Sequence, residues 1–225
     1  MSNILITGGS SGLGLIISQM LRFTGHKVHN WDTKMVPPRD VCSPQSLASH
    51  PETLDVLINC AGVNDIGPLE DFTEDRWDRV MDTNVKGIYK MTRYFLPKLL
   101  EVNGTVVNIV SNASHMPMTH SLAYNASKGA AHIMTQQLAR EFKGRLTVFG
   151  ISPNKLEGTE MSNYIDDIVP EMRGWSVEEA KQYQLNNLLA GAETPPKFVA
   201  EFLCFLLQDK EHHRYLSGCV IPYGV

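Results

Sequence analysis

Short apolar runs alternate along this chain with longer amphipathic stretches, which is the pattern of a parallel sheet covered by helices. The apolar runs predict strands at residues 3–7, 27–32, 54–59, 105–110, 146–151 and 217–222. The amphipathic stretches predict helices at residues 12–24, 70–100, 124–142, 161–189 and 198–207. We therefore expect an α/β fold, with a doubly wound parallel sheet in a single domain that spans residues 1–225.

Residues 33–51 do not fit this alternation. They contain four prolines and little helical periodicity, and the connection is too short for a full helix between Asp32 and Asp40. The segment predicts a shortened connection after the second strand, with a weak or missing edge strand.

The first strand leads directly into a glycine-rich turn that runs from Gly8 to Gly14. Strand, glycine turn and helix together favour a dinucleotide site, because glycines let the backbone approach a pyrophosphate at the helix N-terminus. Asp32 ends the second strand, where a carboxylate accepts hydrogen bonds from ribose hydroxyls and repels a 2′-phosphate. No arginine lies in the turn or beside Asp32, although Lys34 is close, so NAD is favoured over NADP. A plain turn with a strand-end aspartate is the alternative.

Tyr124 and Lys128 are four residues apart, which places both side chains on one face of a helix. Lys128 would favour the phenolate and lower the pKa of Tyr124 from about 10 towards neutrality. Ser111 follows the strand at 105–110, at the sheet edge where ligands bind in open α/β folds. Taken alone, a packed tyrosine, a solvated lysine and a serine that caps a turn are the commoner interpretation.

Charge and cysteine content narrow the possible partners. The net charge is −4 and no basic stripe is present, so we expect no nucleic-acid partner. No apolar run reaches membrane-spanning length, and the N-terminus enters a strand at once, so we expect no membrane association and a cytoplasmic location. The four cysteines show no metal-ligand spacing, which indicates reduced thiols and no metal site. They are Cys42, Cys60, Cys204 and Cys219.

Five motifs in order give the chain a resemblance to the short-chain dehydrogenase/reductase family, in its compact single-domain form with a Rossmann-like sheet. Thr7-Gly8, Gly12 and Gly14 resemble the family's TGxxxGxG turn. Residues 59–62, Asn-Cys-Ala-Gly, resemble its NNAG motif with one asparagine replaced. Asn84 lies in a TNVKG stretch, Ser111 precedes Tyr124 by the usual spacing, and Tyr124-xxx-Lys128 is the family signature.

The resemblance implies reversible hydride transfer between a nicotinamide and a secondary alcohol or ketone, with NAD as the cofactor. It implies that Tyr124 is the general acid/base, that Lys128 lowers its pKa and holds the nicotinamide ribose, and that Ser111 binds the substrate oxygen. It implies that Asn84 holds a water that relays protons from Lys128. Cofactor contacts are expected from Gly8, Ser10, Ser11, Gly12, Leu13, Gly14, Asp32, Asp40, Val41, Asn59, Ala61, Gly62, Tyr124, Lys128, Pro153, Leu156 and Thr159.

The substrate side is expected to involve Ser111, His115, Tyr124 and Asn154, with residues 161–190 as a substrate-binding helical segment. Asn154 follows Ser152-Pro153, where the family has Pro-Gly. The family also implies a homo-oligomer, a dimer or tetramer. Three other functions remain open: an NADPH-dependent 3-oxoacyl carrier-protein reductase, a non-catalytic dinucleotide-sensing regulator, and a sugar-nucleotide epimerase of the extended branch.

Overall fold

The computed structural model describes residues 1–36, 38–43 and 51–224, and its centre is a parallel sheet of six strands. The strand order is β2-β1-β3-β4-β5-β6, and every neighbouring pair is parallel. The predicted doubly wound, Rossmann-like sheet is confirmed. The strands are β1 (Asn3–Thr7), β2 (Lys27–Trp31), β3 (Val56–Asn59), β4 (Thr105–Ile109), β5 (Thr147–Pro153) and β6 (Val220–Tyr223).

Helices cover both faces of the sheet. They are α1 (Gly12–Phe23), α2 (Glu74–Met81), α3 (Gly87–Glu101), α4 (Leu122–Glu141), α5 (Glu160–Arg173), α6 (Val177–Asn186), α7 (Pro196–Leu207) and α8 (Lys210–His213). The helix predicted at 70–100 is α2 and α3 joined by a π-helical turn, Asp82–Lys86. The helix predicted at 161–189 is interrupted after Gly174, whose left-handed conformation (φ +63°) ends α5.

Alternating side chains of the strands supply two separate cores. On β1, Ile4 and Ile6 face α1 and α7, whereas Leu5 faces the opposite layer with Phe95 of α3. All four side chains are fully buried. This arrangement is expected because successive side chains of a strand point to opposite faces, so a strand covered on both sides is apolar throughout.

The order in which strands join the sheet changes direction at β1. β2 pairs with one side of β1, and β3 pairs with the other side. The connections that leave the carboxyl ends of β1 and β3 therefore diverge and leave a crevice between them, where ligands bind in open α/β sheets. The glycine turn and the residues after β3 both lie at this crevice.

The connection after β2 is short, as predicted. Among the described residues of 32–55 there is no helix, and β2 is an edge of the sheet. The Trp31 indole nitrogen donates to the Asp40 carbonyl at 3.2 Å, and Val41 packs on Gly87 at the start of α3. Pro37 and residues 44–50, which are part of the segment in which a weak or missing edge strand was expected, lie outside the described residues.

No helix in the described part of the chain combines the length and the apolar composition that a membrane crossing needs.

Candidate active site

Ser111, Tyr124 and Lys128 converge at the carboxyl end of β4. Ser111 follows β4, whereas Tyr124 and Lys128 lie in the first two turns of α4. Tyr124 shares a hydrogen bond with the Ser111 hydroxyl, and the Lys128 ammonium lies 5.7 Å from the centre of the Tyr124 ring. Both α4 side chains are buried, 8% and 6% exposed. The phenol, the hydroxyl and the ammonium that the sequence pattern predicts are therefore brought together.

The pKa values of the two buried groups shift in opposite directions. Burial raises the pKa of Tyr124, and the hydrogen bond from Ser111 lowers it in part. Burial lowers the pKa of Lys128 to about 8, and the ammonium also donates to the Ile109 carbonyl at 3.0 Å. The net pKa shift of Tyr124 is therefore upward, because desolvation of the phenolate outweighs the hydrogen bond from Ser111. That Lys128 lowers the pKa of Tyr124 stays a prediction.

Asn84 lies in the π-helical turn, and its side chain is 1% exposed. Its amide oxygen accepts from the Val63 nitrogen at 2.8 Å, and its amide nitrogen donates to the Val63 carbonyl at 2.9 Å and to the Ser127 hydroxyl at 3.0 Å. The side chain is thus fully engaged with protein groups. It fixes the segment that follows Gly62 beside the catalytic helix, and its water-relay role stays a prediction.

The glycine turn has the close contacts that a dinucleotide cradle requires. Gly8 has φ +69°, and a side chain there would meet the Ala61 Cα at 2.8 Å. A methyl group on Gly14 would overlap the Gly8 carbonyl oxygen. Ser11, which precedes α1, forms no side-chain cap, so the first N–H groups of the helix are available to an anion. The residues present therefore fit a bound pyrophosphate.

Asp32 and Ser10 connect β2 to this turn. The backbone nitrogen of Ser10 donates to one oxygen of the Asp32 carboxylate at 2.9 Å. The backbone nitrogen of Lys34 donates to the other oxygen at 2.8 Å. The Lys34 ammonium forms a 2.8 Å ion pair with Glu160, in the first turn of α5. The carboxylate is therefore oriented at the end of β2, and the ammonium of Lys34 already has an acidic partner.

The residues after β3 form the other wall of the crevice. The Thr7 hydroxyl accepts from the backbone nitrogens of Cys60 and Ala61, both at 3.0 Å, which holds this segment against the glycine turn. A side chain on Gly62 would lie 3.6 Å from the Lys128 ammonium, so the backbone here is open to the catalytic groups. Burial raises the pKa of the Cys60 thiol to about 12, which keeps it protonated.

Asn59 has a different environment from these neighbours. Its amide nitrogen donates to the Asn108 side chain at 2.9 Å, and Asn108 donates to Thr135 of α4 at 2.9 Å. All three side chains are buried, so this chain of hydrogen bonds connects β3 and β4 to α4, the helix that carries Tyr124 and Lys128. The cofactor contact predicted for Asn59 stays a prediction, and its amide nitrogen is engaged within the protein.

The adenine-side residues lie partly in the protein core. Val41 and Leu13 are buried in the cores of opposite faces of the sheet, so their side chains pack against protein. Asp40 is exposed, and its carboxylate accepts from the Cys42 nitrogen at 2.8 Å. Cofactor contacts from Val41 and Leu13 would therefore have to come from the backbone.

The segment after β5 faces the glycine turn from across the crevice. Thr159 lies within 4.0 Å of a side chain built on Gly12, and it caps α5 by accepting from the Ser162 nitrogen at 3.1 Å. Pro153 ends β5, and Leu156 forms a bridge with Thr194. Thr159 is therefore placed at the glycine turn, and the cofactor contacts of Pro153 and Leu156 stay predictions.

Asn154 is turned towards the C-terminal segment. Its amide nitrogen donates to the Gly224 carbonyl at 2.8 Å, and its amide oxygen accepts from the Lys155 nitrogen at 2.9 Å. His115 is exposed in the loop at 115–120. The substrate contacts predicted for Asn154 and His115 stay predictions. The Asn154 amide is engaged within the protein, and the exposed His115 ring shares a hydrogen bond with the Ser114 hydroxyl at 3.2 Å.

Sequence reasoning missed a buried ion cluster beside the site. Asp65 is 7% exposed and accepts from Arg76 and Arg79 of α2, at 3.1 Å from Arg76 Nε and 2.8 Å from Arg79 Nη2. Burial alone would raise the pKa of Asp65, but the two guanidinium groups hold it below its usual value. Two arginines three residues apart on one helix, with an aspartate in the preceding loop, were the available signal.

This cluster fixes the loop that contacts both substrate-side segments. The Ile66 nitrogen donates to the Tyr164 hydroxyl of α5 at 3.4 Å, and the Gly67 nitrogen donates to the His120 carbonyl at 2.9 Å.

Within the described residues, no group of three or more histidine, cysteine, aspartate or glutamate side chains is arranged to hold a metal ion.

Comparisons with known proteins agree with this geometry. A family model described as short chain dehydrogenase matches residues 44–168. A short chain dehydrogenase of Penicillium brasilianum is 28% identical over 97% of this chain and 94% of its own length. A 3-oxoacyl-[acyl-carrier-protein] reductase of Thermotoga maritima is 29% identical over 75% of this chain and 63% of its own length.

Among solved structures, actinorhodin polyketide ketoreductase with NADPH has a TM-score of 0.85 at 23% identity, covering 98% of this chain and 95% of its own. That similarity concerns the fold.

Proposed function

The chain belongs to the short-chain dehydrogenase/reductase family of oxidoreductases, and on that premise we propose that it interconverts a secondary alcohol and a ketone with NAD(H). The observation that carries the proposal is the convergence of Tyr124, Ser111 and Lys128 at the carboxyl end of β4. A buried phenol that shares a hydrogen bond with a serine beside a buried ammonium is suited to proton transfer at a carbonyl oxygen.

The bound nicotinamide supplies the hydride chemistry, and the chain supplies placement and proton handling. Tyr124 donates its proton to the carbonyl oxygen during reduction and accepts one during oxidation. The raised pKa of Tyr124 favours the protonated phenol, which is the form that reduction needs. Ser111 donates a hydrogen bond to the substrate oxygen as charge develops there. The Lys128 ammonium stabilises the phenolate once the proton has left.

NAD is the proposed cofactor because of Asp32. Its carboxylate is held at the end of β2 by the Ser10 nitrogen, on the adenosine side of the turn. A carboxylate there binds ribose hydroxyls and repels a 2′-phosphate. The one lysine nearby, Lys34, is neutralised by Glu160.

An NADPH-dependent 3-oxoacyl carrier-protein reductase is the second candidate. It is supported by the named Thermotoga maritima reductase and by Lys34, which lies two residues beyond Asp32. Separate titrations with NADH and NADPH distinguish the two candidates, since the first predicts tighter binding of NADH.

The proposal is tested by following NADH formation with a panel of secondary alcohols and comparing Tyr124→Phe with the wild-type protein. We expect Tyr124→Phe to lose about 10²–10⁴ in rate while it still binds NADH, measured by nucleotide fluorescence. Tyr215→Phe removes the hydroxyl of an exposed tyrosine far from the dinucleotide crevice and serves as the control. Full turnover by Tyr124→Phe on a confirmed substrate would refute the role assigned to Tyr124, whereas NADH binding by the wild-type protein without turnover of any alcohol or ketone would support the dinucleotide-sensing alternative.

The proposal extends to a cytoplasmic homo-oligomer, a dimer or tetramer. The thiols in the described residues are all free, as in a reducing compartment. Tyr89 and Ile133, on α3 and α4, are 49% and 59% exposed and lie on the helices most suited to a two-fold interface. Mass measurement in solution tests the assembly, and substitution of Ile133 by glutamate should weaken it.

A further inference from the structure

A second cavity lies at the N-terminal ends of the strands, opposite the end that carries the catalytic groups. It has a volume of about 740 Å³ and is formed by the end of α4, the starts of β4 and β5, and the segment around α8. Because the strands are parallel, their N-terminal ends lie on the opposite side of the sheet from Ser111 and Tyr124. The cavity is therefore separate from the dinucleotide crevice.

Basic side chains dominate the lining of this cavity. The lining contains one carboxylate, that of Glu211, and five cationic side chains. The cations are Arg140, Lys143, Arg145, Lys210 and Arg214. None of the five forms an ion pair among the residues that the structure describes. The chain as a whole has a net charge of −4, so this positive charge is a local concentration on an acidic protein. Like charges gathered around a cavity repel one another, and a bound anion removes that repulsion.

The end of helix α4 explains only part of this charge. Arg140 lies in the last turn of α4, where a cation interacts favourably with the helix dipole. Lys210 donates to the Val102 carbonyl at 2.6 Å, which holds its ammonium near the start of β4. Lys143 and Arg145 follow the helix, and Arg214 comes from the far end of the sequence. Two separate chain segments, residues 140–145 and 210–214, thus bring cations to one place.

Two of the guanidinium groups are positioned by aromatic rings. Arg145 lies 5.4 Å from the centre of the Phe142 ring, and Arg214 lies 5.5 Å from that of Tyr215. Guanidinium groups present paired donors that match the geometry of phosphate oxygens. Tyr215 is 79% exposed and presents a flat apolar surface at the rim.

We propose that this cavity is an anion site for a small molecule that carries a diphosphate group. The volume lies within the range of about 300–1,000 Å³ that is usual for small-molecule pockets. Several cations with a single carboxylate suit two linked phosphates better than one. The diphosphate group is either free or part of a nucleotide, whose ring would contact Tyr215. The proposal does not depend on hydride transfer.

The test is a calorimetric titration with inorganic pyrophosphate in the presence of saturating NADH, which occupies the glycine turn. The titration is made with the wild-type chain, the Arg140→Gln/Lys143→Gln variant and the Arg93→Gln/Lys181→Gln variant. Both variants lose two positive charges, but only the first loses them at the cavity. We expect the first to raise the Kd at least about tenfold, which corresponds to about 1.4 kcal/mol, and the second to leave it close to the wild-type value. Binding should weaken as salt is added. Absence of binding at millimolar pyrophosphate, or equal Kd values for the wild-type chain and the cavity variant, would overturn the proposal.

A parallel titration with ADP identifies the source of the diphosphate. The cavity contribution is the difference in Kd between the wild-type chain and the Arg140→Gln/Lys143→Gln variant, which excludes ADP bound at the glycine turn. A larger difference for ADP than for pyrophosphate, removed by Tyr215→Leu, supports a nucleotide. Equal differences support the free anion. NADH binding by the cavity variant reports on the dinucleotide crevice separately, so a failure of one proposal is distinguishable from a failure of the other.

Discussion

Asn84 and Ser127 share a buried hydrogen bond of 3.0 Å from the amide nitrogen to the hydroxyl oxygen. Ser127 in turn donates to the Tyr124 carbonyl at 2.7 Å, and the Asn84 amide also pairs with both backbone groups of Val63. One asparagine therefore joins the π-helical turn, the segment after β3 and the helix that carries Tyr124 and Lys128. π-helical turns within α-helices are frequent at functional sites.

Asn84→Ala should lower both stability and turnover. Loss of the amide leaves the Val63 nitrogen and carbonyl without partners, which costs about 1–3 kcal/mol for a buried polar group. Denaturant unfolding measures the first effect, and turnover on a confirmed substrate measures the second. Ser127→Ala is the matched comparison because it removes one of the three hydrogen bonds of the amide. A smaller loss for Asn84→Ala than for Ser127→Ala would contradict the central role of Asn84.

Ser111→Ala should shift the pH profile of alcohol oxidation towards higher pH. The hydrogen bond from Ser111 lowers the pKa of Tyr124, so its removal raises that pKa further. Oxidation requires the phenolate, and a higher pKa moves the rising limb to higher pH. The rate should also fall by about 10²–10³, as for loss of a donor to a developing oxyanion.

The measurement is kcat/KM for oxidation across neutral to alkaline pH, with Ser114→Ala as the control. Ser114 is a neighbouring serine that contacts His115 and His132 instead of Tyr124. An unshifted profile in Ser111→Ala would show that Ser111 does not set the pKa of Tyr124.

Asp65→Asn should destabilise the chain and disturb the substrate side of the site. It leaves Arg76 and Arg79 without their carboxylate. Because both guanidinium groups are partly exposed, the cost should lie below the value of about 3–5 kcal/mol for a fully buried ion pair. Because the two arginines lower the pKa of Asp65, its contribution is present above its unfolded-state value of about 3.9 and is lost as pH falls through the folded-state pKa. Asp65→Asn should therefore lose less stability on acidification than the wild-type chain.

Denaturant unfolding at neutral and acid pH measures the loss of stability in Asp65→Asn and the dependence of that loss on pH. Arg79→Gln is the milder variant, since Arg79 is half-exposed and Arg76 still holds the carboxylate. In Arg79→Gln we expect KM to rise more than kcat falls, because the loop contacts Tyr164 and the His120 segment and does not contact the reacting groups. Equal unfolding free energies for Asp65→Asn and the wild-type chain would show that the Asp65 cluster does not stabilise the fold.

Glu160→Gln should increase the affinity for NADPH. It frees the Lys34 ammonium from Glu160, and the backbone of Lys34 is already hydrogen-bonded to Asp32, so the freed ammonium can turn towards a 2′-phosphate there. The gain should be at most about fivefold, because an exposed ion pair is worth up to about 1 kcal/mol. Fluorescence titrations with NADPH and NADH measure the ratio of the two affinities. Glu157→Gln removes an exposed carboxylate three residues earlier and should leave the ratio unchanged; an equal change in both variants would indicate a general charge effect.

The alternation of apolar and polar stretches determined the fold class, the six strands and the places of the main helices. A buried strand and an amphipathic helix are specified by local periodicity, so they can be predicted without knowledge of the neighbours. The catalytic set was predictable for the same reason: Tyr124 and Lys128 lie one turn apart, and Ser111 follows a strand.

The partners of these residues depended on tertiary contacts. The direction of the pKa shift of Tyr124 follows from burial, which no spacing in the sequence reports. The pairing of Asn84 with Val63 and Ser127 joins residues that are 21 and 43 positions apart. The Asp65 cluster and the basic cavity both gather side chains from separate segments. The sequence by itself therefore determined which groups carry the proposed chemistry, and the tertiary structure decided their burial, their partners and hence their protonation, because desolvation and pairing act through space and not along the chain.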